Sequence, residues 1–422
     1  MLKTHKKRDV TLLSEEDTLC CCEYVDQHGQ KNHVMACCCD CEELDQVCDR
    51  WLKCEALPPN SLNRVFETLA DRCRVPWISG AQKLDLTVLP PLLLLPVSLH
   101  IAALHFLLAL IILTTLPICI LWYYYVTHRQ KGHTLFFLSL VLFSLGYMYY
   151  LFVTEVVPRG DVHLMQLAAV TTGLILTLLA LARTKRDPGY LRTIMHANVH
   201  STVRYYQKQS ERVGNTAPNG IHHNFQLFNE SLTPQNNGNN DKKSWCPACK
   251  MSRPPRAGHC RICASCVQRL DHHCVWINNC VGQANHCAFL LTLFFFLMTS
   301  VYGIILTLGS ICRGQSVLFA LFYCPRVYDQ YSSALCFTCT WYSTIVTAGV
   351  LHLFVIQLIN VSYNVTEREA RIALRQKTAR KYLWGLIIDT GLYNLGFSHN
   401  WREFLTMSVS AFPSKLSLED VV

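Results

Sequence analysis

The sequence predicts a polytopic α-helical membrane protein with a cysteine-rich cytosolic domain set between two membrane blocks. The spans number about six, or four plus a re-entrant hairpin. Three observations carry this. Of 422 residues, 51% are hydrophobic and only 16% charged, against about 25% charged in soluble domains. The mean hydropathy is +0.19, which several spans produce more readily than one large soluble core. The 23 cysteines are grouped, so their spacing can be read as chemistry. Collagen, coiled coil, a wholly disordered chain and a small disulfide-stapled secreted domain are excluded. The net charge of +9 suits nucleic acid and an anionic membrane face equally well.

Residues 1–83 form a polar cytosolic region. Met1 to Arg8 is basic and lacks an apolar core, so it is not a secretory signal. Cysteines follow at 20 to 22, 37 to 39, 41, 48, 54 and 73. In a reducing cytosol they form no disulfide framework. Cys38 and Cys41 have C-x-x-C spacing but lack a second pair, and clustered cysteines beside a membrane read better as acyl acceptors.

The first membrane block covers 84–183. Leu84 to Leu99 is short and broken by Pro90, Pro91 and Pro96, which leaves a full span, a re-entrant hairpin and an interfacial helix all open. Ile101 to Val126, Leu135 to Val157 and Leu164 to Leu181 approach or exceed the ~20 residues a helix needs to cross. Residues 184–244 are a cytosolic linker, and its Asn-, Gln-, Ser- and Gly-rich stretch Asn198 to Lys243 reads as disordered. The cysteine-rich domain is 245–287. The second membrane block, 288–362, contains Ala288 to Ile311 and Phe337 to Ile359, and 363–422 is a cytosolic C-terminal region.

Arg183, Lys185, Arg186 and Arg192 put the end of the Leu164 span in the cytosol. The loop Val157 to His163 is then luminal and Thr127 to Thr134 cytosolic, which favours a cytosolic N-terminus and six spans. The sequons at Asn229, Asn360 and Asn364 fall on the cytosolic side, where glycosylation does not occur. Cys312, Cys324, Cys336 and Cys339 could pair in an oxidising lumen, and their spacing does not settle how.

The domain 245–287 holds cysteines 246, 249, 260, 263, 266, 274 and 280 and histidines 259, 272 and 273. Its repeated Cys-x-x-Cys knuckles suit tetrahedral Zn²⁺. With too few apolar residues for a core, metal must supply the folding energy. Two Cys₃His sites consume six cysteines and two histidines, leaving one thiol and one imidazole, with Asp271 in the same stretch. Nucleophile, base and orienter are what thiol catalysis requires. Arithmetic alone does not say which residues are spare.

Asp271-His272-His273-Cys274, with Trp276, Asn279, Cys280, Gly282 and Asn285 around it, resembles the DHHC-domain S-acyltransferases. Asp187-Pro188-Gly189 resembles the family's DPG motif. Asn364 to Glu367 stands where a Thr-Thr-x-Glu motif is expected, and departs from it at Asn364 and Val365. Tyr393-Asn394-Leu395-Gly396 and Asn400 resemble the C-terminal aromatic and asparagine motif. The similarity covers roughly 84–405. It implies one zinc on Cys246, Cys249, His259 and Cys266, and a second on Cys260, Cys263, His273 and Cys280, two structural Zn²⁺ in all.

The resemblance further implies protein S-palmitoyltransferase activity. Cys274 would take a long-chain acyl group from acyl-CoA, palmitoyl-CoA for instance, and pass it to cysteines of membrane-associated proteins. His272 would be the base and Asp271 its orienter. Arg253, Arg256, Arg261 and Arg269 are candidates for the CoA phosphates, with solvated loop charges as the plainer reading. Residence in endomembranes follows, the Golgi first, with the ER or plasma membrane as other options and the active site cytosolic. No nucleic acid is implied. The terminal Glu419-Asp420-Val421-Val422 resembles a PDZ-domain ligand. The competing reading is a catalytically weak membrane scaffold that recruits PDZ partners, and the intact Asp-His-His-Cys argues against it.

Overall fold

A computed structural model describes residues 22–26, 29–34, 42–53, 55, 70, 73–78, 80–130, 134–191, 245–377, 380–381, 387–388 and 393–410, apart from a few side chains at element ends. The chain divides into two compact units, Met1–Leu95 and Pro96–Val422.

In the first unit, β1 (Glu23–Val25) pairs with β2 (Lys31–His33), and β3 (Arg74–Val75) with β4 (Gln82–Lys83). Asp26 closes the first hairpin by accepting from Gln30 N at 2.8 Å and Asn32 Nδ2 at 2.7 Å. Arg74 lies 4.1 Å over the Tyr24 ring and Ala81 N donates to Glu23 O, which joins the two hairpins. Helix α1 is Glu42–Leu52. The Cys38–Cys41 pair lies outside the described residues, as do most of the N-terminal cysteines; Cys48 and Cys73 are exposed.

Helix α2 (Leu89–Ala102) has 14 residues, about 21 Å at 1.5 Å per residue and short of a ~30 Å hydrocarbon core. Pro90 and Pro91 sit in its first turn, where no N–H partner is lost. Among the described residues, five longer helices have the length and composition to cross a membrane: α3 (Phe106–Gln130), α4 (Phe136–Leu151), α5 (Leu164–Thr184), α6 (His286–Ile311) and, after the short α7 (Val317–Phe322), α8 (Tyr331–Ser362). Helix α4 continues through a π turn, Phe152–Val156, and a 3₁₀ turn, Val157–Arg159.

Two differences from the hydropathy reading have clear causes. Helix α8 starts at Tyr331 rather than Phe337, because its first turn is polar. Ser332 and Ser333 accept from Arg159, at 2.8 and 3.2 Å, and Ser332 donates to Glu155. Helix α3 starts at Phe106 rather than Ile101, where His105 Nδ1 accepts from Leu107 N at 3.1 Å.

Helix α6 packs along both α5 and α8. Gly173 of α5 faces Thr299 of α6 so closely that a Cβ there would stand 2.2 Å from Thr299 Oγ1. Small residues set such close helix approach in membranes. Of the four cysteines beyond α6, Cys312 and Cys324 form a disulfide across the α6–α7 loop. Cys336 and Cys339 are buried in α8 and carry no disulfide.

Candidate active site and metal-binding clusters

Residues 245–281 fold as three short antiparallel hairpins. Strand β5 (Trp245–Cys246) pairs with β6 (Met251–Ser252), β7 (Gly258–Cys260) with β8 (Ser265–Val267), and β9 (His272–Cys274) with β10 (Asn279–Val281). Cross-strand neighbours share a face, and the register puts His259 opposite Cys266 and His273 opposite Cys280. Cys246, Cys249, His259 and Cys266 converge with donor atoms within 4.8 Å of one another, and so do Cys260, Cys263, His273 and Cys280.

The spacing fits a bound ion. A tetrahedron with Zn–S of about 2.3 Å and Zn–N of about 2.0 Å has edges of about 3.5–3.8 Å. In the second set, His273 Nδ1 stands 3.6, 3.4 and 3.6 Å from the sulfurs of Cys260, Cys263 and Cys280, and the Cys263 and Cys280 sulfurs are 3.6 Å apart. In the first, His259 Nδ1 is 3.3 Å from Cys249 Sγ and 3.8 Å from Cys266 Sγ. Three thiols and one imidazole form a soft N/S donor set, the kind zinc selects.

The two-residue period of β9 separates two chemistries. His273 faces the second metal set, so His272 and Cys274 share the opposite face. There His272 Nδ1 contacts Asp271 Oδ2 at 2.7 Å. Cys274 lies two residues on in the same strand, on the same side as His272. Burial works against protonation of His272, but Asp271 and Cys274 outweigh it and hold its pKa well above the ordinary histidine value. Burial also resists ionisation of Asp271. The His286 and His272 rings and the Glu367 N–H, which donates to Oδ1 at 2.8 Å, reverse that and hold the carboxyl well below the usual range. A second carboxylate, Glu367, approaches His272 Nδ1 at 3.4 Å. Cys274 itself is buried in an apolar cluster with Leu181, Ile277, Phe289 and Leu293, against which Trp276 and Phe354 pack.

The flanking motifs latch this face to the membrane helices. Asn279 Nδ2 donates to Thr184 O and Arg186 O, and Asn285 Nδ2 to Thr184 O at 2.7 Å. These bonds satisfy carbonyls that the end of α5 would otherwise leave without partners. The Asp187-Pro188-Gly189 segment is a strap: Gln268 N donates to Gly189 O, Ala284 N to Pro188 O and Leu191 N to Cys266 O. Lys185 to Leu191, assigned from sequence to a linker, are therefore bonded to the domain; 192–244 lie outside the described residues. Gly282 makes the close fit possible, since a Cβ there would meet Pro188 O and Val267 Cγ1 at 2.6 Å.

The C-terminal motifs close the site from beneath. The Thr-x-x-Glu spacing is met by Thr366 and Glu369, two residues beyond the register read from sequence. Thr366 N-caps α9 (Glu367–Arg375) in a capping box with Glu369. Glu369 also accepts twice from Arg256; burial would raise its carboxyl, and Arg256 instead holds it below the usual range. Asn364, which sequence reading met only as a sequon and a departure, is a hub. Its Oδ1 accepts from Arg256 Nη1 at 3.0 Å and Arg269 Nη2 at 2.7 Å, and its Nδ2 donates to Tyr393 O and Glu403 Oε2.

This corrects the arginine assignment. Arg256, stacked 4.3 Å over Tyr393, and the buried Arg269 are consumed by internal structure. Burial, with Arg256 nearby, pushes the Arg269 guanidinium down to about 10, still a cation at neutral pH. Arg261 is exposed. Asn400, on α10 (Phe397–Ser410), donates to Ser362 O and Asn394 Oδ1 and so ties off the end of α8. Residues 419–422, the PDZ-like tail, lie outside the described residues.

Fold and site together define a polytopic membrane protein whose buried thiol and carboxylate and part-buried imidazole are backed by two Cys₃His clusters. Residues 239–373 match the family model described as DHHC palmitoyltransferase. The chain is 56% identical to palmitoyltransferase ZDHHC23-B of Danio rerio over 99% of both chains. It is 54% identical to palmitoyltransferase ZDHHC23 of Mus musculus, over 95% of this chain and 96% of the relative, and 54% to that of Homo sapiens, over 92% and 97%. The chain belongs to the DHHC palmitoyltransferase family.

Proposed function

We propose that this protein S-palmitoyltransferase works through Cys274, with His272 as base and Asp271 as its orienter. His272 takes the thiol proton and the Cys274 thiolate attacks the carbonyl carbon of a long-chain acyl-CoA. The C–S bond to CoA breaks and the CoA thiolate recovers the proton. A substrate cysteine then attacks the acyl-Cys274 thioester in the same manner, releasing Cys274. Each half replaces one thioester by another, so transfer is near thermoneutral and ping-pong. The observation that carries this is the shared face of His272 and Cys274 with Asp271 at 2.7 Å behind the ring.

The acyl chain has a candidate berth. An apolar groove of about 430 Å³ between α6 and α8, lined by Phe294, Leu297, Tyr302, Leu351 and Phe354 among others, shares Phe354 with the cluster around Cys274. Burying a chain there gains about 0.8 kcal/mol per CH₂. The two Cys₃His sets each hold a structural Zn²⁺, which supplies folding energy, with the interleaved ligands bracing one set against the other.

The domain division from sequence is kept in this reading, save that the ordered strap to Leu191 joins the metal-binding domain. The active site faces the cytosol of an endomembrane, the Golgi first. The Cys312–Cys324 disulfide at the far end of α6 supports this, since disulfides persist on the oxidising side. Glu419 to Val422 is a PDZ ligand in this reading, alongside substrate proteins with cytosolic cysteines.

The test is labelling of the purified protein with clickable palmitoyl-CoA. A hydroxylamine-sensitive label is expected on the wild type. It is lost by more than about a thousandfold in Cys274→Ser and strongly reduced in His272→Ala, with zinc content unchanged in Cys274→Ser. A label that survives Cys274→Ser would sink the assignment.

A further inference from the structure

Two polar side chains are buried where the membrane helices meet the catalytic face, and nothing in the reaction above uses them. Gln357 of α8 is 0% exposed and His286, the first residue of α6, is 2% exposed. Polar groups in spans are costly and tend to be functional. These two join end to end onto Asp271, itself 1% exposed. His286 Nε2 meets Gln357 Oε1 at 2.9 Å and Gln357 Nε2 meets Asp271 Oδ2 at 3.2 Å.

The polarity of this chain is forced. An ionised carboxylate only accepts, so the Gln357 NH₂ must face Asp271 and its carbonyl must turn to His286. The carbonyl needs a donor, which fixes the His286 proton on Nε2. Nδ1 makes no hydrogen bond among the described residues. The Phe404 ring packs edge-on at 5.1 Å and helps hold the imidazole in place.

We propose that Gln357 and His286 are positioning residues for the transfer reaction, an outer pair that fixes the Asp271 carboxylate and through it the His272 ring. Oδ1 is held by the Glu367 N–H. Oδ2 is shared between His272 and Gln357, so without Gln357 only one donor from outside the catalytic set restrains the carboxylate. The proposal rests on Cys274, His272 and Asp271 acting as assigned above.

The test is a cycle of variants in the full-length protein, read by single-turnover acylation of Cys274 over a range of palmitoyl-CoA concentrations. Gln357→Leu and His286→Phe are each made in the wild type and in Asp271→Asn. In the wild type Gln357→Leu is expected to slow maximal acylation about tenfold, as for a lost bond to a charged group, and His286→Phe about fivefold, as for a lost bond to a neutral one, with half-saturation by palmitoyl-CoA unchanged. In Asp271→Asn each is expected to cost less than about twofold, because the effect runs through that carboxylate. A merely structural role would give equal losses in both backgrounds and overturn the proposal; so would an undiminished rate in the wild type. If Gln357→Leu sheds zinc, His286→Phe carries the cycle alone. Cys274→Ser run alongside separates the two readings: a surviving label removes the catalytic assignment, whereas a lost label with an inert Gln357 removes only this one.

Discussion

At its two ends, α6 is joined to cysteines with different fates. Before its first residue, His286, seven cysteines lie within 246–280 and none forms a disulfide; six of them gather with two histidines in two tetrahedral sets. Just past its last residue, Ile311, Cys312 closes a disulfide with Cys324 and no histidine stands in that loop. The helix has 26 residues, about 39 Å, comparable to a whole bilayer with its headgroups. Local sequence contributes to the difference. Cys-x-x-Cys knuckles with cross-strand histidines place donors where a metal could be held, whereas the 312–324 loop offers two cysteines and no histidine. In the proposed mechanism the catalytic thiol is Cys274, which lies at the Cys₃His end, where no cysteine is taken up in a disulfide.

Metal removal is the strongest way to break this comparison. A high-affinity chelator is expected to strip both sites and unfold 245–287, since structural zinc is worth about 10–16 kcal/mol to domains of this kind. Zinc release would accompany rapid proteolysis within 245–287 and loss of acylation, while a reductant at the same stage changes nothing there. Full activity after complete metal loss would mean that the hairpins and the helix latches hold the site unaided.

Asn364 sharpens the question of what ties the metal end to α8. Asn364→Ala leaves the buried Arg269 and the part-buried Arg256 guanidinium short of an acceptor, and is expected to cost about 2–4 kcal/mol. Asn364 also has φ of +51°, a conformation asparagine tolerates better than alanine. Asn364→Gly is therefore expected to be the milder change in denaturant unfolding followed by tryptophan fluorescence. Equal losses would show that the backbone conformation contributes nothing. A smaller effect is expected for Gly282→Ala, about 1–3 kcal/mol, because the added methyl would press on Pro188 O and Val267 and loosen the strap. Slowed acylation with both zincs retained would be the signature.

The parts legible in the sequence were those with a local signal. Apolar runs marked α4, α5 and α6 closely because hydropathy is additive along a helix. The ligand count required one spare cysteine and one spare histidine, and β9 delivers both on one face. The parts that were not legible are long-range polar contacts. Gln357 is one polar letter in an apolar run, and its partners lie 86 and 71 residues away. Asn364 departs from the Thr-Thr-x-Glu pattern in sequence, and its role as a hub depends on residues far away in the chain; the capping box of Thr366 and Glu369 is visible locally as Thr-x-x-Glu. Sequence offers Arg256 and Arg269 as phosphate ligands or as solvated loop charges, and neither reading holds them in internal structure, because charge in a sequence carries no burial.

The least effect is expected where the comparison is most literal. Replacing both Cys312 and Cys324 by serine removes the covalent closure of a short loop, and in the unfolded chain that closure is worth about 3 kcal/mol on entropy grounds. Little of that can reach Cys274. The loop stands a full helix length from β9, and the contacts that fix Cys274 come from Leu181, Phe289 and the Asn279 and Asn285 latches at the opposite end. Acylation of the double variant is therefore expected within about twofold of wild type, with a lowered thermal midpoint. A loss comparable to that expected on metal removal would mean that α6 transmits a state of the disulfide loop to the strand that carries Cys274. The two ends would then be coupled rather than merely contrasted, and the relay from His286, at the catalytic end of the same helix, would be the first place to look for the route.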